Sequence, residues 1–235
     1  MSTFNPIFYY NMITAVSDPY LDNQLMYYPL DTNANELISG RNGVSTNISY
    51  ANVGINGNCA TFNGASSVIT LSQAAMRGIL ASGTLPISFN IWLKPTVNAN
   101  YIFACRFSSG ASMELSYNSA SSISYTLYTT SAANGIRITI PVTLSTINWN
   151  MLTFTFGGGT SRLGLKAYWN GSEVLTATRS NFGTFTGVAG NPTLAIGRAG
   201  HFIGGYFNGQ IDSIRIWRDR QLTAAEIANI YTTLY

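Results

Sequence analysis

Gly209-Gln210-Ile211-Asp212-Ser213-Ile214-Arg215-Ile216-Trp217 is followed by Leu222-Thr223-Ala224-Ala225-Glu226-Ile227 and then Tyr231. Ile214 and Ile216 alternate with Ser213 and Arg215, the period of two that marks a strand with one buried face. This alternation predicts a closing strand, then a turn and a short helix. Thr223 with Glu226 three residues later forms a capping box. The threonine hydroxyl accepts from a free first-turn N–H, and the glutamate reaches back to the N–H of the cap residue.

Upstream, the chain reads as strand after strand. Met26 to Asp31, Ser67 to Leu71, Pro86 to Leu93, Tyr101 to Phe107 and Met113 to Tyr117 carry strand-forming residues. Asn134-Gly135 is expected to join Tyr125–Tyr128 to Ile136–Ile140. Asn170-Gly171 is expected to join a strand over Leu163–Trp169 to one over Glu173–Thr178, since Asn-Gly suits a two-residue hairpin loop. Met151 to Phe156 alternates cleanly and stops at Gly157-Gly158-Gly159. No Lys-Ser/Thr follows those glycines, so they form a turn and not a phosphate loop. Ser72 is placed to cap a short helix to about Leu80. Many short strands with turn signals and one terminal helix predict an all-β sandwich without internal repeats.

Residues 1–24 differ from the rest. Phe4, Ile7, Phe8, Tyr9, Tyr10, Met12, Ile13 and Tyr20 make an aromatic arm interrupted by Pro6 and Pro19. Two readings stand side by side: the arm packs on its own domain, or it docks on a neighbouring subunit. Residues 25–235 form the sandwich domain.

Charged residues make up 9% of the 235-residue chain, against roughly a quarter in an average domain. Asn, Ser, Thr, Gly and Tyr must therefore cover much of the surface, a style common in secreted, cell-surface and virus-particle proteins. The net charge is +3, and ten of the twelve basic residues are scattered arginines. Nucleic-acid binding requires a clustered basic stripe and none is visible, so no nucleic-acid partner is expected; the nearest approach, Arg215, Arg218 and Arg220, reads as solvated charge around the terminal turn. Cys59 and Cys105 sit in apolar strands, as buried thiols or as one disulfide in an oxidising compartment. No apolar run is long enough for a membrane-spanning helix. The start shows no signal-peptide pattern. Asn47-Ile48-Ser49 and Asn170-Gly171-Ser172 match the glycan acceptor pattern, as chance does readily in a chain this rich in Asn and Ser.

Seven segments in order resemble one family. They are Tyr27-Tyr28-Pro29-Leu30-Asp31, Ala60-Thr61-Phe62-Asn63-Gly64, Ile87 to Pro95 with Trp92, Trp149 to Thr155, Leu165 to Gly171, Leu194 to Gly197, and Phe207 to Asp212. Together with the terminal strand and helix they resemble laminin-G-like, concanavalin A-like jellyroll domains from Leu25 to Tyr235. The resemblance implies a β-sandwich of two antiparallel sheets with a short C-terminal helix, a fold that usually binds rather than catalyses. Tyr20-Leu21-Asp22 leading into Tyr27–Asp31 also resembles laminin-G-like proteins of large DNA viruses.

The same jellyroll hosts retaining glucanases, whose nucleophile and acid/base carboxylates share one strand about 5 Å apart. The chain has nine acids: Asp18, Asp22, Asp31, Glu36, Glu114, Glu173, Asp212, Asp219 and Glu226. No two glutamates share a strand, which argues against that chemistry. His201 is the only histidine, so any Ser-His-Asp triad depends on it, and it lies in a glycine-flanked loop.

Sugar binding requires an aromatic platform beside amides, hydroxyls or arginine. The loop 198–208 offers Arg198, His201, Phe202, Tyr206 and Asn208 at a rim of the sandwich. The plainer reading is that Phe202 and Tyr206 only cover the sandwich end. Trp169, beside a hairpin turn, is the tryptophan expected to be exposed, while Trp92, Trp149 and Trp217 fall at core positions. The resemblance also raises calcium at Asp31 and Asp212, although no cofactor is the leading expectation. Asp212 shares parity with Ile214 and Ile216, so it is expected to point inward or to the rim and to need a backbone N–H, an arginine or a metal. The reading is a non-enzymatic protein of a virion or extracellular surface. Its arm would contact other subunits and its loops possible glycans; a dedicated carbohydrate-binding module is the alternative.

Overall fold

The computed structural model describes residues 23–71, 83–107, 110–129, 133–188, 193–199 and 204–234. The aromatic arm up to residue 22, the helix expected at 72–80, and His201 and Phe202 lie outside the described residues.

Among the described residues, two antiparallel eight-stranded sheets face each other. Across the first run β13 (Ser172–Glu173), β12 (Leu165–Trp169), β11 (Asn150–Phe156), β6 (Ile87–Pro95), β16 (Asn208–Arg218), β4 (Asn58–Asn63) and β3 (Ser49–Val53), with β1 (Gln24–Tyr28) also on β16. Across the second run β14 (Thr178–Phe182), β10 (Gly135–Ile140), β9 (Ser122–Tyr128), β8 (Gly110–Ser119), β7 (Tyr101–Phe107), β15 (Thr193–Ile196), β5 (Val68–Leu71) and β2 (Val44–Thr46). This is the two-sheet sandwich the strand pattern predicts.

The inward residues alternate as the period of two demands. Phe89, Ile91 and Leu93 of β6 and Leu152, Phe154 and Phe156 of β11 meet Ile123, Tyr125 and Leu127 of β9 in one buried cluster. Tyr125 stacks on Phe154 with ring centroids 4.8 Å apart, and Phe89 lies 4.8 Å from Phe103. The other face of the first sheet is also apolar in part. Trp92, Met151, Tyr168 and Trp217 are buried there against Leu222, Ile227 and Ile230. The last two belong to α1 (Ala224–Leu234), and Tyr231 of that helix stacks on Trp92 at 5.6 Å. The capping box forms as expected. The Thr223 N–H donates to Glu226 Oε2 at 2.7 Å, and the Glu226 N–H donates to Thr223 Oγ1 at 3.2 Å.

The strand β16 departs from a straight alternation. Asp212 pairs with Trp92 and Arg215 with Asn90, so β16 holds one residue more than β6 between these pairs. The extra residue is a bulge at Ser213, whose φ is +48°. Ile211, Ile214 and Ile216 all face the core, whereas Asp212 shares the helix-side face with Trp92 and Trp217. The expected parity of Asp212 with Ile214 is thus corrected: the bulge turns Asp212 to the opposite face.

The hairpins also differ in part. Asn170 (φ +49°) and Gly171 (φ +81°) make the two-residue turn between β12 and β13. The β9–β10 connection is longer than expected, because Tyr128 pairs with Gly135 and the Thr129 N–H donates to Asn134 O. Asn134 instead uses its side-chain oxygen to accept from the Thr184 N–H. Cys59 and Cys105 are both buried, unbonded thiols.

Glu36 organises the long connection after β1. It is 3% exposed. Its Oε1 accepts from the N–H groups of Tyr27 and Ile38, both at 2.8 Å, and its Oε2 from the N–H and hydroxyl of Ser39. Burial opposes its charge, but these donors outweigh it and hold the carboxyl below its ordinary range. A lowered native pKa stabilises the fold above the unfolded value of about 4.3, and that stability is lost as pH falls through the native value. Glu36→Gln puts an NH2 group against backbone donors. It is expected to lower stability by about 1–3 kcal/mol at pH 7 and to flatten the acid limb of the denaturation curve between pH 5 and pH 3. Urea titrations across that range would show parallel curves if Glu36 were only a bystander.

Candidate functional site

One end of the sandwich collects the loops that follow β4, β6 and β15 and precede β7 and β16. Backbone hydrogen bonds lock them together. Thr96 donates to Asn208 O at 2.9 Å, Phe207 to Gly197 O at 2.8 Å, Gly197 to Ile102 O at 2.8 Å, and Tyr101 to Gly205 O at 3.3 Å. Phe207 is fully buried and packs edge-on against Phe62 at 5.9 Å, which pins the loop from beneath. Gly197 has φ +88°, and a Cβ there would collide with the Phe62 ring. Asn100, held at φ +73°, donates its side-chain amide to Tyr206 O at 2.9 Å.

This frame leaves Tyr101, Tyr206, Arg198 and Asn208 half-buried at the rim, with Asn100 exposed beside them. The Phe207–Gly197 bond sets Tyr206 and Arg198 on adjoining backbone segments. Of the residues expected from the sequence, Arg198, Tyr206 and Asn208 therefore come together. Asn100 and Tyr101 join them, and sequence reading missed both because they enter from the distant corner where the β6–β7 loop runs into β7. Only the "Asn-Ala-Asn-Tyr" turn chemistry at 98–101 hinted at a structured corner.

Arg198 also walls a groove of about 400 Å³ across the outer surface of β2, β5 and β15, lined by Val44, Thr70, Leu71, Thr193, Leu194 and Ala195. Val44, Thr70 and Ala195 are register partners in one row, of which Val44 is exposed and Ala195 buried. The Arg198 Nε is shielded from solvent and has no hydrogen-bond partner among the described residues.

The tryptophans sort differently from expectation. Trp92 and Trp217 are fully buried. Trp149, expected in the core, is half-buried, and the Lys94 ammonium sits 5.4 Å from its ring centroid. The strand β11 begins only at Asn150, so Trp149 hangs in the loop before it. Trp169 is half-buried, packs against the core and donates its Nε1–H to Asn150 Oδ1 at 3.3 Å. It does not join the rim: β11 and β6 separate β12 from β16, about 14 Å at ordinary strand spacing.

Residues 63–228 match the profile of the concanavalin A-like lectin/glucanases superfamily. The chain belongs to this superfamily. Among solved structures it is similar to domain 4 of an extracellular arabinanase from Geobacillus stearothermophilus, solved with arabinotriose. That likeness has a TM-score of 0.63 and 20% identity, and covers 89% of this chain and 98% of the other. It is also similar to the binding domain of botulinum neurotoxin serotype C1, with a TM-score of 0.64, 11% identity and 91% of this chain covered. The serotype D binding domain gives a TM-score of 0.66 at 14% identity over 90% of this chain. The chain spans 52% of the length of each of these toxin domains. At such identities the likeness establishes the fold alone. No curated protein sequence matches the chain.

The two acids at which the family resemblance raises calcium lie together, but they act as loop clamps. Asp212 is fully buried, and its Oδ2 accepts from the N–H groups of Ile55 at 2.7 Å and Asn56 at 3.4 Å. The Asp31 Oδ1 accepts from the Asn58 N–H at 3.2 Å. Calcium takes six to eight oxygens. Here N–H dipoles aim at the carboxylates, a field that suits anions, and among the described residues no three His, Cys, Asp or Glu side chains converge. The donor set does not fit calcium.

Burial first, and then the neighbouring Asp31 charge, push the Asp212 carboxyl up to about 7, against the pull of the Ile55, Asn56 and Ser213 N–H groups. A native pKa above the unfolded value of about 3.9 means that the native state holds a proton which the unfolded chain has released. Stability therefore falls as pH rises from about 4 to 7 and levels off above. Asp212→Asn keeps a carbonyl oxygen for the Ile55 N–H and removes the titration. The wild-type protein is expected to lose stability relative to Asp212→Asn, by on the order of a few kcal/mol, between pH 5 and pH 8. Parallel denaturation midpoints across that range would contradict the assignment.

Proposed function

We propose that this chain is a non-catalytic carbohydrate-binding module whose glycan site is the loop rim formed by Asn100, Tyr101, Arg198, Tyr206 and Asn208. The observation that carries this reading is the convergence of two half-buried tyrosines with amides and an arginine on a hydrogen-bonded frame. Tyrosine rings offer an apolar face to the C–H surface of a sugar, while amides and guanidinium meet its hydroxyls. A frame fixed before binding lowers the ordering cost that otherwise erodes affinity. Superfamily membership and the arabinotriose complex of the arabinanase domain agree with this reading.

The acids also favour binding over hydrolysis. Asp31 and Asp212, close together, are occupied by backbone N–H groups, and Glu226 is taken up by the helix cap and Arg220. The assembly role expected of the aromatic arm falls on residues outside those described, and the virus-particle expectation has no support among the relatives named above.

A glycan array followed by titration calorimetry tests the reading, with arabinotriose as one neutral probe. Tyr206→Ala and Tyr101→Ala are each expected to weaken binding about tenfold, or 1.4 kcal/mol. Leu163→Ala, 74% exposed at the opposite end of the sandwich, is expected to leave it unchanged. Undiminished binding by both tyrosine variants would move the site elsewhere, and an array without any bound glycan would overturn the function itself.

A further inference from the structure

We infer that Asn56-Gly57 is a site of spontaneous covalent modification, at which the Asn56 carboxamide is lost through a cyclic imide and the isoaspartyl product loosens the turn between β3 and β4. The inference is independent of the glycan reading. The turn lies at the start of β4, whereas the rim lies beyond its other end at Asn63.

The chain contains six Asn-Gly pairs, at 42–43, 56–57, 63–64, 134–135, 170–171 and 208–209. A glycine after asparagine leaves the backbone nitrogen unhindered, so that it can close on the side-chain carbonyl carbon. The fold restrains five of these pairs. Asn42 Oδ1 accepts from the Glu36 N–H at 2.9 Å, and the Gly43 N–H donates to Ala34 O at 2.8 Å. Asn63 Oδ1 accepts from the N–H groups of Ala65, Ser66 and Ser67, and the Gly64 N–H donates to Phe207 O. Asn134 Oδ1 accepts from the Thr184 N–H, and Gly135 is buried in β10 between Tyr128 and Phe182. Asn170 Oδ1 accepts from the Met151 N–H at 2.8 Å, and Gly171 lies against Tyr231. Gly209 is buried in β16 between Phe62 and Pro95.

Asn56-Gly57 differs from all five. Both residues are exposed, in the loop between the paired residues Val53 and Asn58. Among the described residues, neither the Asn56 carboxamide nor the Gly57 N–H has a hydrogen-bond partner. The chain on either side is nevertheless anchored. The Ile55 and Asn56 N–H groups donate to Asp212 Oδ2, and the Asn58 N–H donates to Asp31 Oδ1.

The reaction balances with water alone. The Gly57 nitrogen gives up its proton and bonds to Asn56 Cγ, ammonia leaves, and a cyclic imide forms. Water then opens the ring. Cleavage at Cγ gives aspartate. Cleavage at the Asn56 main-chain carbonyl leaves Gly57 bonded to Cγ, an isoaspartyl link whose main chain is one carbon longer. That extra carbon falls between the anchor points on Asp212 and Asp31, and either product sets a new carboxylate beside these two acids. Asp31 also faces Gly57 and repels the transient nitrogen anion, so the folded chain reacts more slowly than the unfolded one.

The test holds the full chain in mildly alkaline buffer, native and in urea, and follows each Asn-Gly pair by peptide mapping and mass spectrometry. In native buffer Asn56 is expected to be lost at least about tenfold faster than the other five, since each 1.4 kcal/mol of opening needed to free a restrained pair slows its reaction tenfold. In urea the six rates are expected to converge. The urea midpoint of the aged native protein is expected to fall in step with its isoaspartyl content, while that of Asn56→Gln, aged identically, stays in place. Another pair leading in native buffer, Asn56 leading by the same margin in urea, a midpoint that ignores conversion at Asn56, or an equal fall in Asn56→Gln would each overturn the inference.

Discussion

The fold depends on what happens halfway along β16. One edge of this central strand is shared by two partners: β4 pairs with residues 208–211 and β1 with residues 214–217. Neither covers Asp212 and Ser213, so the backbone there must find other acceptors and donors. The bulge at Ser213 and the buried carboxylate of Asp212 fill this gap. Ser213 donates to Pro29 O, just past β1, and Asp212 receives the turn before β4. Asp31 then ties the end of β1 to the start of β4 through Asn58. The single inserted residue lets one strand place isoleucines in the core on both sides of the gap while sending Trp217 to the helix.

A chain so poor in charge uses its acids as backbone clamps. Glu36 gathers donors from Tyr27, Ile38 and Ser39; Glu226 receives Thr223; Asp31 and Asp212 hold residues 55–58. The same device gives opposite pH behaviour according to how completely it is satisfied. Glu36 has donors on both oxygens, so its charged form wins despite burial. Asp212 keeps one oxygen without a partner, and burial wins. Fewer donors on Asp212, together with the Asp31 charge beside it, leave its desolvation less opposed than that of Glu36.

Much of this was legible in the sequence. The two-residue period placed β6, β11 and β16, and the Thr223–Glu226 spacing placed the helix start, because both are local rules acting within a few residues. The Asn170-Gly171 turn was legible for the same reason. What escaped depended on distant partners. The face of Asp212 was misread because a bulge is set by the meeting of β1 and β4 on one edge, not by residues beside it. Asn134-Gly135 looked like a two-residue turn, but Asn134 serves the distant Thr184 N–H. Trp149 lay one residue outside the strand it was assigned to. In the site, Arg198, Tyr206 and Asn208 came from one loop and were found. Asn100 and Tyr101 arrive from another corner about a hundred residues away, and Trp169 was separated from them by strand order that no local pattern encodes.

The rim's aptness for binding follows from how its polar backbone is satisfied. A loop that meets its backbone's hydrogen-bonding needs largely through other backbone groups calls on few side chains, Asn100 among them, whose amide donates to Tyr206 O. Thr96, Tyr101, Gly197 and Phe207 supply those partners here, and Phe207 supplies the apolar anchor. Trp169 shows the converse: its indole N–H is spent on Asn150, which itself donates to Leu93, Ser145 and Asn148 carbonyls, so the ring serves to close the sandwich end.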